Sequence, residues 1–397
     1  MDPERGTPAV LLAGEAIAMP VIRSLGKAGI EVHAVGNASW DPAAHSRYPA
    51  SFVDLPARSG DRWMDWLEDE APRGAVILPC ADPGVEFVAR HRSTLLELGF
   101  SPIEGSDEAS LAMLDKQRTA ELAAEMGIEV PTAIPVEDAR ELEAAAARIG
   151  FPCALKPRNA ALFQRHFGEG RKLIVARDEG ELRDAFERTT QFDLRMMVVE
   201  IIPGDDGRLV SYGGYLDEKG DPITDCTFRK IRQFPPRYGL SSYAVSDSDR
   251  EVAELGLRFV RTVGVRGPFE VEFKRDARDG RPKLIECNPR FTALQLLFCG
   301  TDVALLAYQR ALGRPGPPGG PSHPGIHLWN PVEDVRAFLF YRRAGEWTFG
   351  RWLRSLMHRQ HLHVFRWNDP MPTLAFHRRR LGRLARRALR RPPSESP

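Results

Sequence analysis

Between Gly267 and Phe291 apolar and charged positions alternate with a period of two on either side of a turn. Phe269, Val271 and Phe273 interleave with Glu270, Glu272 and Lys274, the pattern of a strand with one apolar and one charged face. Arg275 to Gly280 is turn chemistry, and a second arm from Lys283 to Asn288 resumes the alternation. That period places Glu286 and Asn288 on the side of Leu284 and opposite Ile285 and Cys287. Pro289 lacks a donor and stops the ladder. Pairing of the two arms predicts that Glu272, Glu286 and Asn288 converge.

Upstream, residues 9 to 100 alternate short apolar runs with helical patterns: strands at 9–13, 31–35 and 75–79, with a helix over 16–28. This βαβ rhythm predicts a parallel sheet covered by helices. Its first turn reads Gly14-Glu15-Ala16-Ile17-Ala18-Met19 and lacks the Gly-x-Gly-x-x-Gly of a dinucleotide site, which disfavours a nicotinamide dehydrogenase. Asp82 follows the strand ending at Pro79 and reads as the N-cap of the next helix in preference to a ligand contact. From Ser106 the pattern is helical through Lys116 to Met126, and a further helix spans about 137–149. A short buried strand then ends at Lys156, and an ammonium there needs an anion beside it. Met196 to Glu200 is a buried strand that runs into Pro203-Gly204, with Asp205 and Asp206 behind. Strands near 209–216 and 223–228 follow. Arg229, Lys230 and Arg232 then read either as a clamp for an anion or as a solvated basic loop. An amphipathic helix over 249–263 leads into the hairpin, and one near 302–312 follows it. Residues 314–325 form a Pro/Gly linker, and 331–376 reads as two helices docked on the core.

Length changes the picture by requiring two or three packed domains in 397 residues. Net charge, at +1, points to no partner overall, but His377 to Arg391 carries eight Arg and no acid. That stretch reads as a basic amphipathic helix for anionic lipid, a partner or nucleic acid, or as a solvated tail. Five scattered cysteines without a Cys-x-x-Cys pair read as reduced core thiols. With no signal-sequence pattern and no run of transmembrane length, the expected location is the cytoplasm. His358, His361 and His363 lack the carboxylate or thiolate that would complete a metal set.

Two carboxylates and an amide oxygen are hard ligands suited to Mg²⁺, and Arg290 presents a planar fork to a phosphate or carboxylate. Glu272 followed by Glu286-x-Asn288-Pro-Arg290, with Lys116 before Gly127-Ile-Glu-Val-Pro131 and with Phe151-Pro-Cys-Ala-Leu-Lys156-Pro157, resembles the ATP-grasp superfamily over roughly residues 9–313. The Arg229-Lys-Ile-Arg-Gln-Phe-Pro-Pro236 string is similar to that of a carboxylate–amine ligase-like branch, some of it linked to cell-envelope or polysaccharide pathways.

The resemblance implies an α/β fold, α+β in its grasp lobes. A preATP-grasp domain would cover 1–105, an N-lobe 106–198 with a phosphate lid at 157–170, and a C-lobe 199–313. The linker at 314–325 and a helical extension over 326–397 would follow. It implies ATP with one or two Mg²⁺, Mn²⁺ being a substitute, held by Glu272, Glu286 and Asn288. Lys116 and Lys156 would reach phosphates, the backbone at Glu200 and Ile202 would meet adenine, and Asp206, or else Asp205, would hold the ribose. Arg290, with Lys230 and Arg232, would stabilise an acyl phosphate as the γ-phosphoryl of ATP passes to a carboxylate and an amine, or a thiol, attacks. Homodimerisation is a further implication, and nucleic acid is not an expected partner. The competing reading is a nucleotide-binding module without catalysis, tethered by the basic tail at 377–391 to a membrane or partner.

Overall fold

The computed structural model describes residues 6–39, 41–56, 60–158, 163, 166, 167, 173–192 and 194–375. Most of the expected lid and all of the 377–391 tail lie outside them.

The first sheet holds β1 (Ala9–Leu12), β2 (Val32–Gly36), β3 (Ser51–Asp54), β4 (Val76–Pro79) and β5 (Ser101–Pro102), all parallel, in the order β3-β2-β1-β4-β5. Helices α1 (Glu15–Lys27), α2 (Gly60–Asp69) and α3 (Asp82–Glu97) connect its strands. Ala9 and Leu11 pack toward Met19 and Ile22 of α1, while Val10 and Leu12 pack toward Trp63 and Phe87. Burial on both faces explains why β1 reads as an uninterrupted apolar run. Strand order reverses between β1 and β4, where the backbone at Ala13, Gly14 and Glu15 has φ of 57°, 127° and 47°. Gly14 is required there, because a Cβ would lie 2.4 Å from Cβ of Cys80. Asp82 is not an N-cap: Ala81 holds that position, and the Asp82 carboxylate accepts from Arg290 instead.

The second sheet is antiparallel, with β6 (Ala133–Val136), β7 (Cys153–Pro157), β8 (Ile174–Ala176) and β9 (Met196–Glu200) in the order β6-β9-β7-β8. It follows helices α4 (Asp107–Leu114) and α5 (Lys116–Glu125) and carries α6 (Ala139–Ile149) and α7 (Glu179–Thr190). Asp138 and Asp178 cap α6 and α7 by accepting from Glu141 N and Glu181 N. Cys153, Leu155, Met196 and Val198 form one core with both helices and with Phe163, which is fully buried. Phe163 and Phe167 stack at 4.5 Å. Phe163 and Phe167 of the lid segment therefore pack into their own lobe.

The third sheet has seven strands in the order β14-β13-β10-β11-β12-β15-β16. They are β10 (Leu209–Leu216), β11 (Pro222–Phe234), β12 (Leu240–Asp247), β13 (Gly267–Arg275), β14 (Pro282–Asn288), β15 (His327–Trp329) and β16 (Gln360–Leu362). Its helices are α8 (Arg250–Val263), α9 (Gln295–Phe298), α10 (Val303–Ala311), α11 (Pro331–Arg343) and α12 (Phe349–Ser355). β11 continues six residues past the expected end at Phe228, so Arg229 to Arg232 form a strand and not a loop. The region beyond 326, expected to be helical, also adds two strands to the sheet edge. It then returns to the first domain: buried Arg23 of α1 donates to Asp369 Oδ2 at 2.9 Å and to Val364 O at 2.6 Å. All five cysteines are buried and free. No helix among the described residues is long and apolar enough to cross a membrane.

Candidate active site

In the hairpin of β13 and β14, Glu272 stands directly opposite Glu286 and Glu270 opposite Asn288. Directly opposed residues share a face, so four polar groups gather at one end of the third sheet. A β-bulge follows Glu272, leaving Ile285 without an opposite residue and pairing Leu284 with Phe273. Leu284 and Cys287 consequently join one apolar core, with Val271 and Phe273. The period-two reading had set Leu284 on the side of Glu286; the extra residue inverts its parity. The bulge lets the acids share one face while their neighbours on both sides stay in the core.

Cations answer these acids from two directions. Lys230 of β11 pairs closely with Glu272, and both side chains are buried. Burial alone would lower the Lys230 pKa, but the charge and hydrogen bond of Glu272, followed by Glu270 and Glu286, more than reverse this and raise it. Lys116, first residue of α5, lies 3.7 Å from Glu286 Oε2. Arg290 donates through Nη2 to Asn288 Oδ1 at 3.2 Å and through Nε to Asp82 Oδ1 at 2.5 Å. It thereby ties the acid cluster to the carboxyl end of β4, beside the point where the first sheet reverses order. Glu270, which sequence reasoning did not select, accepts from Ser211 Oγ at 3.1 Å. Burial raises its pKa, the hydrogen bond from Thr292 opposes this, and the Glu272 charge adds to it.

Lys156 is on the face of β7 opposite the core positions Cys153 and Leu155, in register with Met197. It shares that face with Ala154, Met197 and Val199. The β9 strand then enters the segment 200–204, which the tip of the β13–β14 hairpin grips at several points. Glu200 accepts from Thr132 N at 3.1 Å, from Lys283 Nζ at 3.2 Å and from Arg278. Its burial would raise the carboxyl pKa, but Arg278, the Thr132 N–H and Lys283 together lower it. Lys274 Nζ donates to Ile202 O at 2.7 Å, and Ala277 N to Pro203 O at 3.2 Å.

Two expected site residues stand elsewhere. Asp206 is buried and accepts from Gln233 N at 3.0 Å, Gln233 Nε2 at 2.9 Å and the Tyr341 hydroxyl. Its carboxylate clasps α11 to β11, while Asp205 remains exposed. Arg232 is fully buried, donating to Asp334 from Nε at 2.6 Å and Nη2 at 3.0 Å, and to Ser355 Oγ at 3.0 Å. Its guanidinium lies 4.7 Å from the Tyr243 ring and 4.5 Å from that of Trp347. Register irregularities on both sides of Arg232 remove it from the alternation that carries Lys230 toward the acids. Of the three basic residues, only Lys230 joins the cluster; Arg229 pairs with Asp247.

Among the described residues no three or more His, Cys, Asp and Glu converge as a complete metal cage. Two carboxylates and one amide oxygen fit a cation that retains water and phosphate oxygens, the habit of Mg²⁺. A separate cavity of about 470 Å³ beside Asp205 is lined by Arg208, Arg229, Tyr341, Trp347 and Arg351.

No family model matches the chain. It is 24% identical over 225 residues to D-aspartate ligase of Enterococcus faecium (strain Aus0004), covering 54% of this chain and 53% of that protein. It is 26% identical over 213 residues to D-alanine–D-alanine ligase of Xanthomonas axonopodis pv. citri (strain 306), covering 49% and 61%. With the formate-dependent phosphoribosylglycinamide formyltransferase of Rhodococcus jostii (strain RHA1) it shares 25% over 290 residues, covering 67% and 65%. The chain thus spans between about half and two thirds of these relatives. Among solved structures, the ADP complex of N5-carboxyaminoimidazole ribonucleotide synthetase superposes with a TM-score of 0.62 at 12% identity, covering 86% of this chain and 85% of that one. The biotin carboxylase domain dimer of Hydrogenobacter thermophilus 2-oxoglutarate carboxylase, with MgADP and bicarbonate, gives 0.61 at 20%, covering 81% and 74%. Both show the fold.

Proposed function

We propose that the chain is an ATP-grasp protein and, on that premise, an ATP- and Mg²⁺-dependent ligase joining a carboxylate to an amine. The observation that carries this reading is the opposed pair Glu272 and Glu286, each neutralised by a lysine that reaches it from a separate element. Carboxylates buried together are costly unless cations accompany them. Lys230 and Lys116 supply part of that charge.

In this proposal Glu272, Glu286 and Asn288 hold Mg²⁺, with Mn²⁺ a substitute, and the ion neutralises phosphate oxygens when bound. Lys116 and Lys156 grip phosphates, and the backbone of Glu200 and Ile202 receives the base. Asp205, exposed where Asp206 is committed, takes the ribose hydroxyls. Arg290 steadies the acyl phosphate formed as the γ-phosphoryl passes to a carboxylate oxygen, and phosphate then leaves as the amine attacks. The domain limits in this reading are 1–105 for the preATP-grasp domain, 106–198 and 199–313 for the two lobes, and 314–325 for the linker. A homodimer is proposed from the dimeric biotin carboxylase neighbour. Ligase names among the sequence relatives support the reaction class.

The test is ADP and product formation by the full chain with ATP, Mg²⁺ and pooled amino acids and amino sugars. Glu286→Ala should lower turnover about 10²–10³-fold, the scale of losing one preorganised electrostatic group. Unchanged turnover in that variant would remove the metal assignment.

A further inference from the structure

Resting on the placement of the nucleobase at the 200–202 hinge, we propose that Lys274 sets base selectivity in this site and makes it tolerant of 6-oxopurine nucleotides. Glu272 and Lys274 are two residues apart on β13 and pair regularly with Ser211 and Leu209 of β10, so they project from one face. Two residues of strand span roughly 6–7 Å. One strand face therefore carries both the metal end of the groove and, through the 2.7 Å bond from Lys274 Nζ to Ile202 O, the hinge end.

An adenine edge presents a 6-amino donor, whereas a 6-oxopurine presents an acceptor there. An extended backbone satisfies the amino group with a carbonyl. At this hinge the Ile202 carbonyl already accepts from an ammonium, which has three donors and no acceptor. A 6-amino group approaching that carbonyl meets positive charge, and a 6-oxo group meets a donor. Burial lowers the Lys274 pKa, while the charges of Asp206 and Asp205 oppose that loss and favour the ammonium. The lysine is also held in place, because Ala277 N and Pro203 O fix the next turn of the hairpin against the hinge. Sequence patterning recorded Lys274 only as one more charged position on a half-polar strand.

The experiment is equilibrium binding of ADP and IDP to the full chain with Mg²⁺, by calorimetry. The two ligands differ at the purine 6-position and the adjoining N1 proton. The wild-type protein should bind both within about threefold. Lys274→Met frees the carbonyl, and its preference for ADP should rise to about tenfold or more, the scale of one hydrogen bond beside a removed charge. Lys274→Gln, which keeps a donor without the charge, should fall between. A wild-type preference for ADP above about 100-fold, or the same ratio in wild type and Lys274→Met, overturns the proposal. Should Lys274→Met fail to fold, the wild-type ratio and Lys274→Gln decide it. Binding of neither nucleotide by the folded wild type would instead strike the hinge reading on which this rests.

Discussion

Two buried cations stand two residues apart on β11, and their surroundings differ. Arg232 has a bidentate carboxylate, a hydroxyl and two aromatic faces, so each of its three nitrogens donates to a partner and its charge is paired. Lys230 has one direct partner, Glu272, and also feels the charges of Glu270 and Glu286, in a cluster where four acids, Glu270, Glu272, Glu286 and Asp82, face Lys230, Lys116 and Arg290. The first is a closed arrangement that holds α11 and α12 to the sheet. The second retains an appetite for positive charge. A surplus of one sign within a buried groove distinguishes a binding site from a structural ion pair, because only a ligand can complete it.

Breaking the closed pair should produce the largest change. Arg232→Ala leaves Asp334 buried without its cation, so about 3–5 kcal/mol of stability should be lost. Chemical denaturation would register it as a lower midpoint with an unchanged slope. Nucleotide binding by the fraction that remains folded should persist. In the open cluster the order reverses. Glu272→Gln should cost about 10²-fold or more in ADP formation but less stability than Arg232→Ala, because Glu270 and Glu286 still face Lys230. Equal stability losses in the two variants would erase the distinction.

A smaller, pH-dependent effect sharpens it. The Glu270 carboxyl is raised above 4.5 by burial, so the folded chain retains a proton that the unfolded chain releases. Its contribution is full below the unfolded pKa and is lost as pH rises through the folded value. Stability should therefore decline over that interval, and Glu270→Gln should flatten the decline. Thermal unfolding across acidic to neutral pH would check this; a wild-type profile that rises there just as in the variant would count against it.

The legible parts of this molecule were those governed by short-range pattern. Alternation in 267–274 and 283–288 revealed the hairpin, and the run at 9–13 revealed the first strand of a buried parallel sheet, observed over Ala9–Leu12. What escaped depends on distant partners. One unpaired residue, Ile285, reversed the side of Leu284, and nothing in a period-two string marks where a bulge falls. Irregular register in β11 separated Arg232 from Lys230 although they are neighbours in sequence. Asp206 reads as a free turn acid until Tyr341, 135 residues later, reaches it. Asp82 resembles a cap until Arg290, 208 residues on, claims it. Lys274 carried no signal, because its importance comes from a carbonyl 72 positions earlier.

The bond between Arg23 and Asp369 spans 346 positions. During synthesis α1 can be built early, yet its buried guanidinium has no carboxylate until almost the whole described chain has emerged. The opening βαβ unit is thus sealed by a strap made much later, and a chain cut short after Trp329 would leave a cation stranded in its apolar flank. Removal of a late segment should accordingly unsettle the earliest sheet.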